Sequence, residues 1–193
     1  TFRGVAMGTF GVKTLQGKNI DADLVARGVS ATAGDLIKNW TMAAGVGGPI
    51  KKDKLWFYVP VSKAVAQKVQ PGNFHNLTQG VNQFLYTPDL SRPAHTDDVD
   101  REIQGRITWQ VAPKHKVAFH TFIENNCQCY FLPDANSAPE AALRVKYFPV
   151  HRHQGTWNHP ATNRLLFEGG FNIVKCSSDK PYSEGVTPEH IRV

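Results

Sequence analysis

The chain has 193 residues, 41% hydrophobic and 20% charged, enough for one domain with a sizeable core. It has no apolar run near the ~20 residues of a membrane helix, which excludes a helical membrane protein and says nothing against a β-barrel. The net charge of +6 is scattered rather than gathered into a stripe, so no nucleic-acid partner is expected, and three cysteines are too few for a disulfide scaffold.

In chain order, Phe2 to Val12 reads as a Gly-rich strand. Asp21 to Arg27, closed by Gly28, reads as a short helix within a loop, with Asp as its N-cap. Trp40, Met42, Ala44, Val46 and Ile50 share one strand face, with Thr41, Ala43, Gly45 and Gly47 opposite. Lys51-Lys52-Asp53-Lys54 is a short turn. Leu55 to Val61 follows as a strand apolar on both faces, so its orientation stays open. A long polar stretch, roughly Lys63 to Val99, is expected to be a loop.

Glu102 to Val111 has the clearest pattern. Ile103, Gly105, Ile107, Trp109 and Val111 alternate strictly with Glu102, Gln104, Arg106, Thr108 and Gln110, which predicts a strand with one apolar and one polar side. Its length is that of a strand crossing a bilayer at a tilt, ~9–11 residues, against ~5–6 in soluble proteins. Pro113-Lys114 turns the chain into a second alternating run. There Val117, Phe119 and Ile123 oppose Lys116, His120 and Glu124. A second expected loop, Asn126 to Val150, precedes a polar strand over His151 to Asn158. The turn at 159–163 leads into Arg164 to Val174, where Leu165, Phe167, Phe171 and Ile173 alternate with polar residues.

Short turns alternating with long polar connections are the asymmetry of outer-membrane barrels. The tryptophans offer a second sign. Trp56, Trp109 and Trp157 lie beside short turns and Trp40 lies about ten residues from its own. Indole rings at two levels fit the interfacial girdles of a barrel; the competing reading is a sandwich core.

Gly47-Gly48-Pro49-Ile50-Lys51-Lys52-Asp53-Lys54-Leu55-Trp56-Phe57-Tyr58 resembles a hairpin of TonB-dependent outer-membrane receptors, specifically the Oar-like group. Tyr86 to Pro93, Thr108-Trp109-Gln110 with Pro113 to Lys116, and Thr162 to Glu168 are similar to further segments of that group in the same order. The resemblance covers most of the chain. It implies an all-β fold, an antiparallel meander of about six to eight long strands with one short loop helix. Residues 1–193 would be a partial slice of a large transmembrane β-barrel. Nothing resembles a plug, a TonB box or a terminal aromatic strand. With no initiator Met at Thr1, the chain is expected to be part of a longer precursor, leaving open whether it is a natural polypeptide. Pro60 stands where that family continues its strand, which predicts drift or an early strand end.

The implied function is transport rather than catalysis: uptake of a scarce nutrient across the bacterial outer membrane. The implied partners are outer-membrane lipid, an unknown substrate, and the TonB energy-coupling complex acting through a plug outside this chain. A passive porin-like channel and a soluble all-β ligand-binding module are the alternatives. Tyr130, Phe131, Arg144, Tyr147 and Phe148 are candidate substrate contacts, since aromatics and Arg favour recognition surfaces; capping of the barrel rim is the other reading.

Gly45-Val46-Gly47-Gly48 is followed by Pro49 and a strand, not by the helix a phosphate loop requires. No catalytic constellation, cofactor or metal site is expected. Glu102, Glu124 and Glu168 are expected on the polar interior, near Arg106 and Arg164. For the cysteines, a disulfide from Cys176 to Cys127 or Cys129 is one expectation and free thiols the other.

Overall fold

The structure is a computed structural model that describes residues 1–31, 34–79, 81, 85–131 and 138–180. It is all-β. Among the described residues, seven strands form one antiparallel sheet in sequence order: β1 (Arg3–Gly11), β2 (Leu36–Lys51), β3 (Leu55–Asn76), β4 (Pro88–Ala112), β5 (His115–Phe131), β6 (Leu143–Thr162) and β7 (Leu165–Asp179). The short helix α1 (Ala22–Ala26) lies between β1 and β2, its first turn capped by Asp21, whose carboxylate accepts the Leu24 N–H at 2.9 Å. Among the described residues, no helix is long and apolar enough to cross a membrane.

The three short turns fall at one end of the sheet. At the first, Asp53 takes a left-handed φ of 58°, which Asp tolerates better than most side chains. The strands run past their expected ends at the other end. β3 continues to Asn76 and β4 already starts at Pro88, so most of the loop expected over Lys63 to Val99 is a paired ladder. Likewise β5 reaches Phe131 and β6 starts at Leu143, which removes most of the loop expected over Asn126 to Val150. Pro60 does not end its strand. It pairs with Gly45 on β2, and the ladder with β4 skips from Tyr58–Arg106 to Val61–Ile103 in unchanged register. A missing N–H is tolerated at the skipped pair.

The register fixes which residues share a face. Val46, Val59, Gly105, Thr121, His153 and Ile173 belong to one face. Gly45, Pro60, Gln104, Phe122, Arg152 and Val174 belong to the other. The first face is mostly apolar near the turns, carrying Ile103, Ile107, Trp109, Val117, Phe119, Phe167, Phe171 and Ile173, with His153 and His159 of β6 among them. The second carries Glu102, Arg106, Lys116, His120, Glu124 and Glu168. β1 departs from this division, with Val5 and Met7 on the polar face beside Gly45 and Ala43.

The turns are staggered. Leu55 pairs with Trp109, so the β2–β3 turn is level with about Val111, and the β4–β5 turn at 113–114 lies two to three residues farther. Lys116 pairs with Asn158, and the β6–β7 turn at 163–164 again lies about three residues beyond the β4–β5 turn. Steps of about 2.5–3 residues at ~3.3 Å, across two strands at ~4.8 Å each, place the turns on a line that the strands cross at about 40–45° to its normal.

The described residues form almost no core. Strands make substantial contact only with their sheet neighbours. The buried apolar residues Ala94, Pro139, Ala142 and Val145 cluster at the end away from the short turns, with Val65 farther down β3. Trp109 is 50% exposed, Ile107 47% and Phe171 53%. β1 and β7 stand as the two edges.

Candidate functional site

Among the described residues, side-chain chemistry beyond the ladder gathers in several places, three of them along β3 to β7. The first is a pocket of about 430 Å³ on the polar face, lined by Tyr58, Gln104, Arg106, His120, Gln154 and Thr156. The period-two alternation of β3 to β6 brings these residues to one side. His120 Nε2 lies 3.2 Å from Gln104 Oε1, and the Tyr58 ring covers Gly45 and Gly47 of β2. Arg106, with Gln104, His120 and Gln154 around it, offers hydrogen-bond donors and acceptors to a polar solute or a polar protein surface.

Glu102 and Glu124 are direct cross-strand neighbours on this face, and Glu102 accepts a hydrogen bond from Ser62 Oγ at 3.2 Å. Among the described residues, no ion pair joins Glu102, Glu124 or Glu168 to Arg106 or Arg164, and no group of His, Cys, Asp and Glu could hold a metal ion.

The second region lies at the far end, where Asn76 organises the β3–β4 connection. Its side-chain oxygen accepts the N–H of Thr78 at 3.1 Å and of Thr87 at 2.8 Å, and its amide donates to Leu85 O at 3.1 Å. The 3-10 turn Pro139–Ala141 docks here through Glu140. Its Oε1 accepts the Asn76 N–H at 2.8 Å and lies 3.3 Å from His75 Nδ1. Burial pushes the Glu140 carboxyl up, but the bonds from His75 and from the Asn76 N–H outweigh it and hold the group below its usual range. Nearby, burial pushes the His95 imidazole down.

The expected substrate residues are strand residues, not loop residues. Tyr130 and Phe131 end β5, whereas Arg144, Tyr147 and Phe148 open β6. They do not form one surface. Tyr130 packs against the His95 ring at 4.8 Å, opposite Asp97, whereas Tyr147 is opposite Asn126 and so belongs to the other face. Polar composition hid these extensions, because a strand with water on both sides needs no apolar alternation. His75, Asn76 and Glu140 left no sequence signal, being brought together by the meander alone.

The third region is the apolar face by the short turns. Trp109 and Trp157 are both opposite Val117, on that face. Trp157 stacks with His115 and His159, and its Nε1 donates to His115 Nδ1 at 3.1 Å. His159 stacks in turn on Phe167. Trp40 is on the same face, opposite Val65 and far from the turns. Trp56 is not: it is opposite Pro49 and Thr108, on the polar face. The run Leu55 to Val61, apolar on both sides, gave no clue to that.

The cysteine expectation also needs correction. Cys127 bonds to Cys129, and Cys176 on β7 is free and exposed. Asp98 pairs with Gln128 but Asp97 with Tyr130, so Cys129 is an extra residue in a bulge. The bulge draws the Cα atoms of 127 and 129 to 5.2 Å, within disulfide reach.

Compared with family models, with curated proteins and with solved structures, the chain matches none.

Proposed function

We propose that this chain is wall of a transmembrane β-barrel in an outer-membrane transporter of the TonB-dependent kind. One observation carries the reading: a single-layer sheet with an uncovered apolar face of membrane depth. On β4 that face runs from Val111 to Ile103 before the first charge, Arg101. On β3 it runs from Leu55 to Val61 before Lys63, and on β7 from Phe167 to Ile173 before Lys175. At ~3.3 Å per residue and a tilt of about 45°, the stretch on β4 spans roughly 21 Å, near the ~25 Å apolar band of such barrels, and the shorter stretches on β3 and β7 span roughly 16 Å. The stagger of the turns agrees with the ~35–45° strand tilt of a closed barrel.

In this reading the apolar face meets lipid, Trp109 and Trp157 stand near one interface, and Trp40 stands near the other. The polar face lines the lumen, where Arg106, His120 and Gln104 meet the solute or a plug. The edges of β1 and β7 pair with further barrel strands, which removes two exposed ladders. Coupling to the TonB complex rests on the sequence resemblance. A passive channel would have the same wall without coupling. A soluble sandwich would need a second sheet over the apolar face, and the described residues form one.

The test is fluorescence of single-Trp versions of the protein in bilayers containing brominated phospholipid. Trp109 is expected to be strongly quenched and Trp56 weakly. A chain that stays monomeric without detergent, with Trp109 unquenched, would sink the membrane reading.

A further inference from the structure

Beyond its apolar band, the lipid-side face carries a row of nitrogen bases: Lys38 on β2, Lys63 on β3, Arg101 on β4, His151 on β6 and Lys175 on β7. Register places four of them in two cross-strand pairs. Lys63 is directly opposite Arg101, and His151 is directly opposite Lys175. Like charges directly opposite each other destabilise a sheet. Among the described residues none of the five joins a carboxylate in an ion pair. The acids of the neighbouring rows, Asp98, Asp100 and Glu102, belong to the other face. Asp97, four residues up from Arg101 on the basic face, accepts a 2.8 Å hydrogen bond from Gln67.

Below the Lys63–Arg101 pair lies an open groove of about 410 Å³, with Met42, Ala44 and Val61 on its apolar side and the two bases at its end. The groove exists because Ala44, opposite Val61, is small. Lys63 Nζ stands over the Trp40 ring, 5.4 Å from its centre, at the level where the apolar band ends. Two cations with no carboxylate partner among the described residues, at the head of an apolar slot, match an amphiphile with an anionic head and an alkyl tail. A guanidinium beside an ammonium suits a phosphate, which offers several acceptor oxygens to both.

Resting on the barrel reading above, we infer that this groove holds a phosphorylated membrane lipid, one acyl chain along Met42, Ala44 and Val61 and its phosphate bridging Lys63 and Arg101. The bound phosphate relieves the repulsion between the two strands and fixes the height of the sheet in the membrane.

The test uses the full chain, purified in detergent and stripped of lipid, with dioleoyl phosphatidic acid as the probe and native mass spectrometry as the readout. Phosphatidylcholine and inorganic phosphate are the comparisons. Phosphatidic acid is expected to bind at about ten-fold lower concentration than phosphatidylcholine, and phosphate in ten-fold excess is expected not to displace it. The double substitution Lys63→Gln with Arg101→Gln should raise the half-saturating concentration about ten-fold, while Lys52→Gln in the first turn leaves it unchanged. Ala44→Leu keeps both charges but fills the groove, and should weaken the lipid in the same direction. A double variant that retains wild-type lipid affinity, or displacement of the lipid by equimolar phosphate, overturns the inference. If Trp109 is quenched in bilayers while these variants hold phosphatidic acid normally, this site fails alone. If Trp109 is not quenched, the barrel reading fails with it.

Discussion

Tyr58 covers Gly45: a β-carbon at position 45 would stand 2.6 Å from the Tyr58 hydroxyl oxygen, and one at position 47 would stand 2.9 Å from the ring. Glycine weakens a strand, and an aromatic ring laid across it from the next strand restores cover to the backbone. Gly45→Val should expel the ring and destabilise the sheet by about 1–3 kcal/mol. Because both changes break one contact, Gly45→Val and Tyr58→Ala should be less than additive. Unfolding midpoints of the two single variants and the double variant in detergent measure this. Simple addition would mean that the ring does not depend on the slot.

The sheet was legible where one side of a strand is apolar and the other polar. Glu102 to Val111 and Arg164 to Val174 announced themselves, and Lys51 to Lys54 and Pro113-Lys114 marked their turns. Legibility failed where that contrast vanishes. Val65 to Asn76 and Pro88 to Asp98 are strand without alternation, since both sides are polar or mixed and what holds them is cross-strand pairing. Phe57 and Trp56 are adjacent and both apolar, so only pairing with Ile107 and Thr108 separates their faces. The pocket around Arg106 and His120 needs the register of four strands, which no single segment contains. The Cys127–Cys129 bond needs a bulge that spacing alone does not reveal.

A charge tolerated on one face should be ruinous on the other, one residue away. Ile107 pairs with Phe57 and Phe119, and Thr108 pairs with Trp56 and Ala118. If the barrel reading holds, Ile107→Arg should cost about 2–4 kcal/mol in a bilayer. In the same reading Thr108→Arg, on the polar face, should change stability by within about 0.5 kcal/mol. The folded fraction after reconstitution at increasing urea reports the difference. Equal costs at 107 and 108 would contradict a lipid-facing side.

The cysteine arrangement predicts a thiol count. Alkylation in denaturant without reductant should modify Cys176 alone, and the same residue should react in the native protein because it is exposed. After reduction all three should react. A peptide joining Cys176 to either partner, found by mass spectrometry, would replace the pairing seen here.

Acid should release the Pro139–Ala141 turn before it touches the sheet. The Glu140 carboxyl is held below its usual range despite burial because its charged form takes hydrogen bonds from His75 and the Asn76 N–H. The unfolded segment therefore binds a proton more readily than the docked one. The docking energy from this group is fully present above the ordinary carboxylate range and is lost as pH falls through the depressed folded value. Glu140→Gln should remove the charge-assisted part, about 1–3 kcal/mol, and with it the pH dependence. Hydrogen exchange separates local from global effects. The amides of Asn76 and Ala142 should lose protection at low pH while those of Ile103 and Phe119, deep in the ladder, keep theirs. Protection at Asn76 that does not change with pH in the native protein, or that still falls with pH in Glu140→Gln, would assign the docking to the packing of Pro139 and Val145 instead.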